Sequence, residues 1–194
     1  MQKWLFCLIL IVLVVGSIVY SRKHNLYVES NDGRSYLVRN MDSRNEASDT
    51  ISKLRKSLKD FILHLYQNKE NYPKNKNYID QLYKQGYTTY YRENTKQSSF
   101  TSYTVNKGEE MVFCLRSKNG KNSIHDFNLI MYVALHEISH IACPEFGHTP
   151  LFNDIFVFLR EEAEKFGIYK EINFNQNQQE YCGMNITNWL IKRI

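Results

Sequence analysis

Cysteine, proline and tryptophan are scarce in this chain of 194 residues, which contains four, three and two of them. Cys7 lies in an apolar stretch at the N-terminus, which leaves Cys114, Cys143 and Cys182 for the rest of the chain. Three cysteines are an odd and sparse set for paired disulfides, so the composition disfavours a disulfide-stabilised scaffold. Internal repeats and a boundary to a second domain are also lacking. About 170 residues after the apolar stretch suffice for one domain with a good core.

A strong excess of one charge sign is missing too, because 25 Lys and Arg residues stand against 20 Asp and Glu residues, a net charge of +5. No nucleic-acid-binding motif accompanies the basic residues, so a nucleic-acid partner is not expected. The high content of Asn, Lys, Ile and Tyr is typical of AT-rich coding sequence and fits a viral or protist source.

One long apolar run is present, the 17 uncharged residues from Trp4 to Tyr20. A membrane-spanning helix needs about 20 apolar residues, with a range of ~17–25, whereas the core of a cleaved signal peptide has about 7–15. The run therefore predicts a transmembrane anchor at residues 1–24, with 4–20 in the lipid bilayer, ahead of a single domain at 25–194. A signal peptide cleaved before Ser17 is the alternative. The expected localisation is a single-pass membrane protein, and the flanking charges leave the side of the membrane open.

The chain also contains the sequence His136-Glu137-Ile138-Ser139-His140, in a stretch that no Gly or Pro interrupts. Asp126 is a suitable helix N-cap, and Pro144 should end the helix close to Ala142. Two stripes of apolar residues at helical spacing indicate that this helix is buried on most sides.

His136 and His140 lie on the same face of such a helix, so both imidazoles can reach one ion. Two buried histidines and a buried glutamate are costly unless they are hydrogen-bonded or bind metal. The pattern H-E-x-x-H on a helix is the signature of zinc hydrolases, with Glu137 as the general base. The alternative is a pair of hydrogen-bonded core histidines that share a helix by chance.

Catalytic zinc usually has three protein ligands and leaves the fourth position for water. His148 is the best candidate for the third ligand because it stands at a tight turn between two predicted helices. In the second of these, Thr149 is the expected N-cap, Pro150 the first residue and Gly167 the C-terminal stop. The alternatives for the third ligand are Glu161, Glu162, Cys143 and Glu145.

His136-Glu-x-x-His140, a short loop and His148-Thr-Pro-Leu-Phe152 together resemble the SprT/WLM-type metallopeptidases, in particular small membrane-anchored members of large DNA viruses and protists. The segments Thr101–Arg116 and Glu180–Gly183 are also similar to that group. The spacer between His140 and His148 is longer than in the usual WLM form. It is also longer than in metzincins, which excludes that assignment.

The resemblance implies an α+β fold: a single zincin-like domain with a small antiparallel or mixed sheet packed on the H-E-x-x-H helix. It also implies zinc-dependent hydrolysis of peptide or protein substrates. The residues themselves predict strands at 99–105 and 111–116, joined by a turn at Asn106-Lys107-Gly108. One of these strands could pair with an extended substrate, or both are ordinary interior strands.

A hydrolytic mechanism needs a donor for the oxyanion, and Tyr181, Tyr103 and His125 are the candidates. The alternative function is a non-enzymatic, membrane-anchored structural or adaptor protein with a stabilising metal site. Elsewhere the sequence predicts a hairpin at 26–39, a helix at 43–66 with a capping box at Ser43, and a possible edge strand at 169–174. Residues 67–96 are predicted as loops around one short helix at about 79–84.

Overall fold

The computed structural model describes residues 2–95, 98, 100–118 and 122–186 of the chain. Within those ranges the architecture is mixed α+β. The helices are α1 (Gln2–His24), α2 (Arg44–Gln67), α3 (Lys76–Gly86), α4 (Phe127–Ala142) and α5 (Pro150–Phe166). The strands are β1 (Asn25–Glu29), β2 (Ser35–Arg39), β3 (Tyr90–Glu93), β4 (Tyr103–Val105), β5 (Glu110–Phe113), β6 (Gln179–Tyr181) and β7 (Met184–Ile186). Residue 99 of a predicted strand and residues 187–194 of the predicted domain lie outside the described ranges.

Helix α1 covers the apolar N-terminal run, but no helix in the described ranges is both long and apolar enough to cross a membrane. The uncharged run from Trp4 to Tyr20 has 17 residues. That is the lower limit of the ~17–25 apolar residues with which a helix can span a bilayer. The predicted transmembrane anchor at 1–24 is therefore wrong, and so is the predicted localisation as a single-pass membrane protein.

A three-stranded mixed sheet packs against α4 and has the strand order β3–β5–β4. β3 runs parallel to β5, and β4 runs antiparallel to β5 through the turn at Asn106-Lys107-Gly108. The predicted turn is confirmed, and the predicted strand pair is confirmed over shorter ranges, 103–105 and 110–113. β5 has a neighbouring strand on both sides, whereas β4 lies at the edge of the sheet.

The two helices that border the predicted metal site begin and end where the sequence indicates. The Asp126 carboxylate accepts hydrogen bonds from the amides of Asn128 and Leu129 at the start of α4. At the start of α5 the Thr149 hydroxyl accepts one from the amide of Phe152. Gly167 ends α5 in the left-handed conformation, with φ 84°. The predicted caps and ends of the two helices are therefore confirmed. They could be predicted because a helix cap depends on the few residues around it in the sequence.

The capping box predicted at Ser43 does not form, because the Ser43 side chain makes no cap and its hydroxyl accepts a hydrogen bond from Arg116. Arg116 also forms a buried ion pair with Glu93, in which Nε and Oε1 are 2.7 Å apart. The amide of Arg39 donates to the other carboxylate oxygen of Glu93. Burial raises the pKa of Glu93, and the neighbouring Arg116 opposes that rise. These hydrogen bonds and the ion pair connect the start of α2 with the ends of β2 and β3.

Two further predictions differ from the structure in part or in full. In residues 67–96 the predicted short helix forms as the eleven-residue α3, but the strand β3 was not predicted. Residues 169–174 form no strand, because Tyr169 and Phe174 turn inward and pack on Tyr132. A hairpin of β6 and β7 follows instead.

Although the composition disfavours a disulfide-stabilised scaffold, one disulfide is present. Cys114, directly after β5, forms a disulfide with Cys182 in the β6–β7 turn, across a sequence separation of 68 residues. Cys143 is a buried free thiol. The disulfide ties the β6–β7 hairpin to the mixed sheet. Two cysteines so far apart in sequence gave no spacing signal for this pairing.

We expect the double substitution Cys114→Ser/Cys182→Ser to lower the free energy of unfolding by about 2–4 kcal/mol, because closing a long loop restricts the unfolded chain. Urea denaturation under non-reducing conditions measures this. The reduced wild-type protein should show the same loss, and reductant should not change the double variant. Equal stability of the oxidised wild type and the double variant would contradict the prediction.

Candidate metal centre

Three histidines converge at the surface where α4 and α5 meet. The Nε2 atom of His136 lies 3.2 Å from Nε2 of His140 and 3.0 Å from Nε2 of His148. Ligand atoms of all three lie within 4.8 Å of one another. Tetrahedral zinc with bonds of about 2.0–2.1 Å places neighbouring ligand atoms about 3.3 Å apart. The spacing and the all-nitrogen donor set therefore fit a zinc ion held by three imidazoles.

The positions of the three imidazoles follow from the two helices. His136 and His140 are one turn apart on α4, and His148 ends the loop that leads into α5. Phe152 lies in the first turn of α5 and is fully buried beneath all three rings. Its ring centroid is 5.0 Å from that of His136, 4.3 Å from His140 and 4.9 Å from His148. Phe152 therefore restricts the rotation of the three imidazoles.

The Glu137 carboxylate is held beside this cluster by a residue of the edge strand. Thr104, in the middle of β4, donates a hydrogen bond from its hydroxyl to Glu137 Oε2 at 3.0 Å. Glu137 is buried, with 4% of its surface exposed. A buried carboxylate with a fixed orientation is what a general base requires. Thr104 belongs to no motif in the sequence, although the alternation of side chains along β4 could have placed it on the side of α4.

An open cavity of about 640 Å³ adjoins these groups. The residues around it come from the edge strand and its turn, from α4 and from the loop before α5; they include Thr104, Lys107, Glu137, His140, Phe146 and His148. A cleft of this size can accept several residues of a peptide. Because β4 is an edge strand, its outer backbone groups face outward beside the cavity.

The other predicted ligands lie outside the histidine cluster. Among the described residues, the group whose ligand atoms converge contains the three histidines alone. Glu162 accepts a hydrogen bond from the Tyr72 hydroxyl at 2.7 Å, and this bond raises the pKa of Tyr72 to about 12. Glu161 is exposed on α5, and Cys143 is a buried residue directly after α4. Glu145 lines the cavity but is not part of the cluster.

The three candidates for an oxyanion donor have different surroundings. Tyr181 is buried, and its hydroxyl is 2.6 Å from the Ser102 hydroxyl; burial raises its pKa far above the usual range. His125 Nε2 accepts a hydrogen bond from the Cys182 amide, and burial lowers its pKa. The Tyr103 hydroxyl accepts a hydrogen bond from Arg92 on β3. Of the three, only Tyr103 lines the large cavity, while Tyr181 lines a small one of about 20 Å³ beside His136 and Glu137.

Similar proteins come from viruses. The chain is 39% identical over 167 residues to uncharacterized protein R325 of Acanthamoeba polyphaga mimivirus, a match covering 86% of this chain and 84% of that protein. It is 39% identical over 71 residues to uncharacterized protein 136R of Invertebrate iridescent virus 6, covering 36% of this chain and 39% of that protein.

No protein-family profile matches the chain. Among solved structures, Wss1 from Saccharomyces cerevisiae is similar with a TM-score of 0.35 and 19% identity, covering 39% of this chain and 59% of that one. A likeness at that level carries no conclusion about activity.

Proposed function

The chain belongs to the viral protein family that includes R325 of Acanthamoeba polyphaga mimivirus, and we propose that it is a zinc-dependent peptidase. His136, His140 and His148 are the proposed ligands, and Glu137 is the proposed general base. The observation that carries the proposal is the convergence of three imidazoles at the edge of an open cavity that a buried carboxylate also lines. Bound zinc lowers the pKa of a coordinated water to about 7 and polarises a carbonyl.

The chain's own residues supply the remaining steps. Glu137 accepts a proton at its carboxylate and later delivers it to the amine of the leaving group. Thr104 keeps this carboxylate directed at the cavity through the bond to Oε2. A substrate in extended conformation pairs with the outer edge of β4, which positions its backbone along the cavity.

The arrangement favours an enzyme over a protein with a purely structural metal site. Structural zinc sites close all four positions with protein side chains, whereas catalytic sites keep one open. In the described ranges three ligand atoms converge, and two of the three histidines, His140 and His148, line the open cavity. A structural site also has no use for a carboxylate held beside it, which is the position of Glu137.

The test is to measure metal content and peptide cleavage with the purified full-length protein. We expect stoichiometric zinc and cleavage of members of a peptide library. Removal of zinc with a chelator should abolish cleavage, and added Zn²⁺ should restore it. Cleavage that persists without metal would contradict the zinc dependence, and a zinc-loaded protein that cleaves no library member would contradict the peptidase assignment.

A further inference from the structure

The turn between β4 and β5 has an unusual backbone that is fixed against α3. Asn106 and Lys107 both have left-handed φ values, 46° and 55°, which side chains other than Gly seldom adopt. A Cβ at Gly108 would lie 2.9 Å from the backbone oxygen of Gln85, so the turn and the end of α3 are in close contact. The Thr89 hydroxyl donates to the Gly108 carbonyl at 2.6 Å. The turn is therefore a rigid platform, and strain of this kind is often found beside functional sites.

From this platform the Lys107 side chain reaches the connecting loop, which we define as Cys143–Gly147, between α4 and His148. The Lys107 ammonium donates to the carbonyl of Cys143 at 2.5 Å and to the carbonyl of Glu145 at 2.9 Å. It also lies 4.5 Å from the ring centroid of Phe146, a cation–π distance. One ammonium thus contacts three of the five residues of the loop.

The connecting loop needs such support because little of it is packed. Of its residues only Cys143 is buried, and His148 beyond it is exposed as well. Its first carbonyls follow the C-terminus of α4, where the helix dipole favours a positive charge. Gln81 of α3 makes a related contact two residues before Cys143, donating to the Ile141 carbonyl at 2.7 Å. Side chains from outside the loop therefore hold the end of α4 and the chain that follows it.

We propose that Lys107 is a positioning residue that holds the connecting loop in the conformation that brings His148 to His136 and His140. It acts by binding the carbonyls of Cys143 and Glu145 and is not itself a ligand of the metal. Without the ammonium, His148 samples positions away from the other two imidazoles, and metal binding must first restrict the loop. The inference rests on the proposed metal site, but it can be tested without a peptide substrate.

The experiment compares Lys107→Met with the wild type in the full-length protein. Competition with a chromophoric chelator measures the dissociation constant for Zn²⁺, and we expect it to rise about 10-fold, the lower end of the range for residues that orient metal ligands. Amide hydrogen exchange in the metal-free protein should become faster at residues 145–147 and remain unchanged in the middle of α4. Lys107→Arg retains charged donors and should recover most of the affinity.

Lys84→Met is the matched control, because Lys84 is exposed on the neighbouring helix α3 and the substitution removes the same charge. It should leave both measurements unchanged. Zinc affinity of Lys107→Met within twofold of the wild type would overturn the inference, and so would equal losses in Lys107→Met and Lys107→Arg. A wild-type protein that binds zinc but cleaves no peptide would overturn the proposed function alone.

Discussion

Replacing Glu137 with Gln is expected to lower kcat for peptide cleavage by about 10²–10⁴-fold, the usual contribution of a general base. The amide has nearly the shape of the carboxylate but cannot accept a proton at neutral pH. Zinc binding should remain stoichiometric, because the three imidazoles lie outside the changed group. Steady-state kinetics on a peptide from the library, together with metal analysis of the same sample, make the measurement.

Glu145→Gln is the matched control for this experiment. Glu145 lines the same cavity but is exposed in the connecting loop and is not part of the histidine cluster. Its substitution should change kcat little, although it can alter KM if the substrate contacts that side chain. Undiminished kcat in Glu137→Gln would contradict the assigned role, and loss of zinc in that variant would show that Glu137 affects the metal site itself.

The sequence predicted the helices around the site well because their signals are local. Asp126, Thr149, Pro150 and Gly167 each act within one helical turn of their own position, so the bounds of α4 and α5 follow without knowledge of the rest of the fold. The same local geometry puts His136 and His140 on one face. The meeting of His148 with the other two imidazoles depends on one more condition, which is that α4 and α5 pack together and are joined by a short turn.

The features that the sequence analysis missed depend on residues far apart in the chain. β3 pairs parallel with β5 although the chain between them contains β4, and a strand of four residues has too little pattern to indicate such a pairing. The Cys114–Cys182 disulfide and the Arg116–Ser43 contact likewise join distant segments. Lys107 was recognised only as part of a turn, because its contact with the connecting loop depends on how that turn packs on α3.

For helix α1 a strong local pattern led to a wrong prediction, that of a transmembrane anchor. The absence of charge from Trp4 to Tyr20 correctly indicated a helix. It did not indicate a spanning helix, because length and apolar character must both match the bilayer, and the run was at the lower limit of the accepted range. Helicity and membrane insertion are separate properties, and only the first follows from the run.

Replacing His148 with Ala should weaken zinc binding by more than about 100-fold, since loss of a residue that merely orients a ligand already costs about 10–100-fold. At limiting metal the variant should retain no stoichiometric zinc. Because His148 is exposed, the free energy of unfolding of the metal-free protein should change by no more than about 0.5 kcal/mol. Chelator competition and urea denaturation separate these two effects.

Glu161→Ala is the control, because Glu161 is an exposed carboxylate on α5 and was one of the alternatives for the third ligand. It should bind zinc like the wild type. If Glu161→Ala lost the metal and His148→Ala kept it, the third ligand would be a carboxylate, and α5 would have to turn a different face toward α4. The packing of Phe152 against all three imidazoles opposes that rearrangement, because rotating α5 would withdraw this ring from the centre of the site.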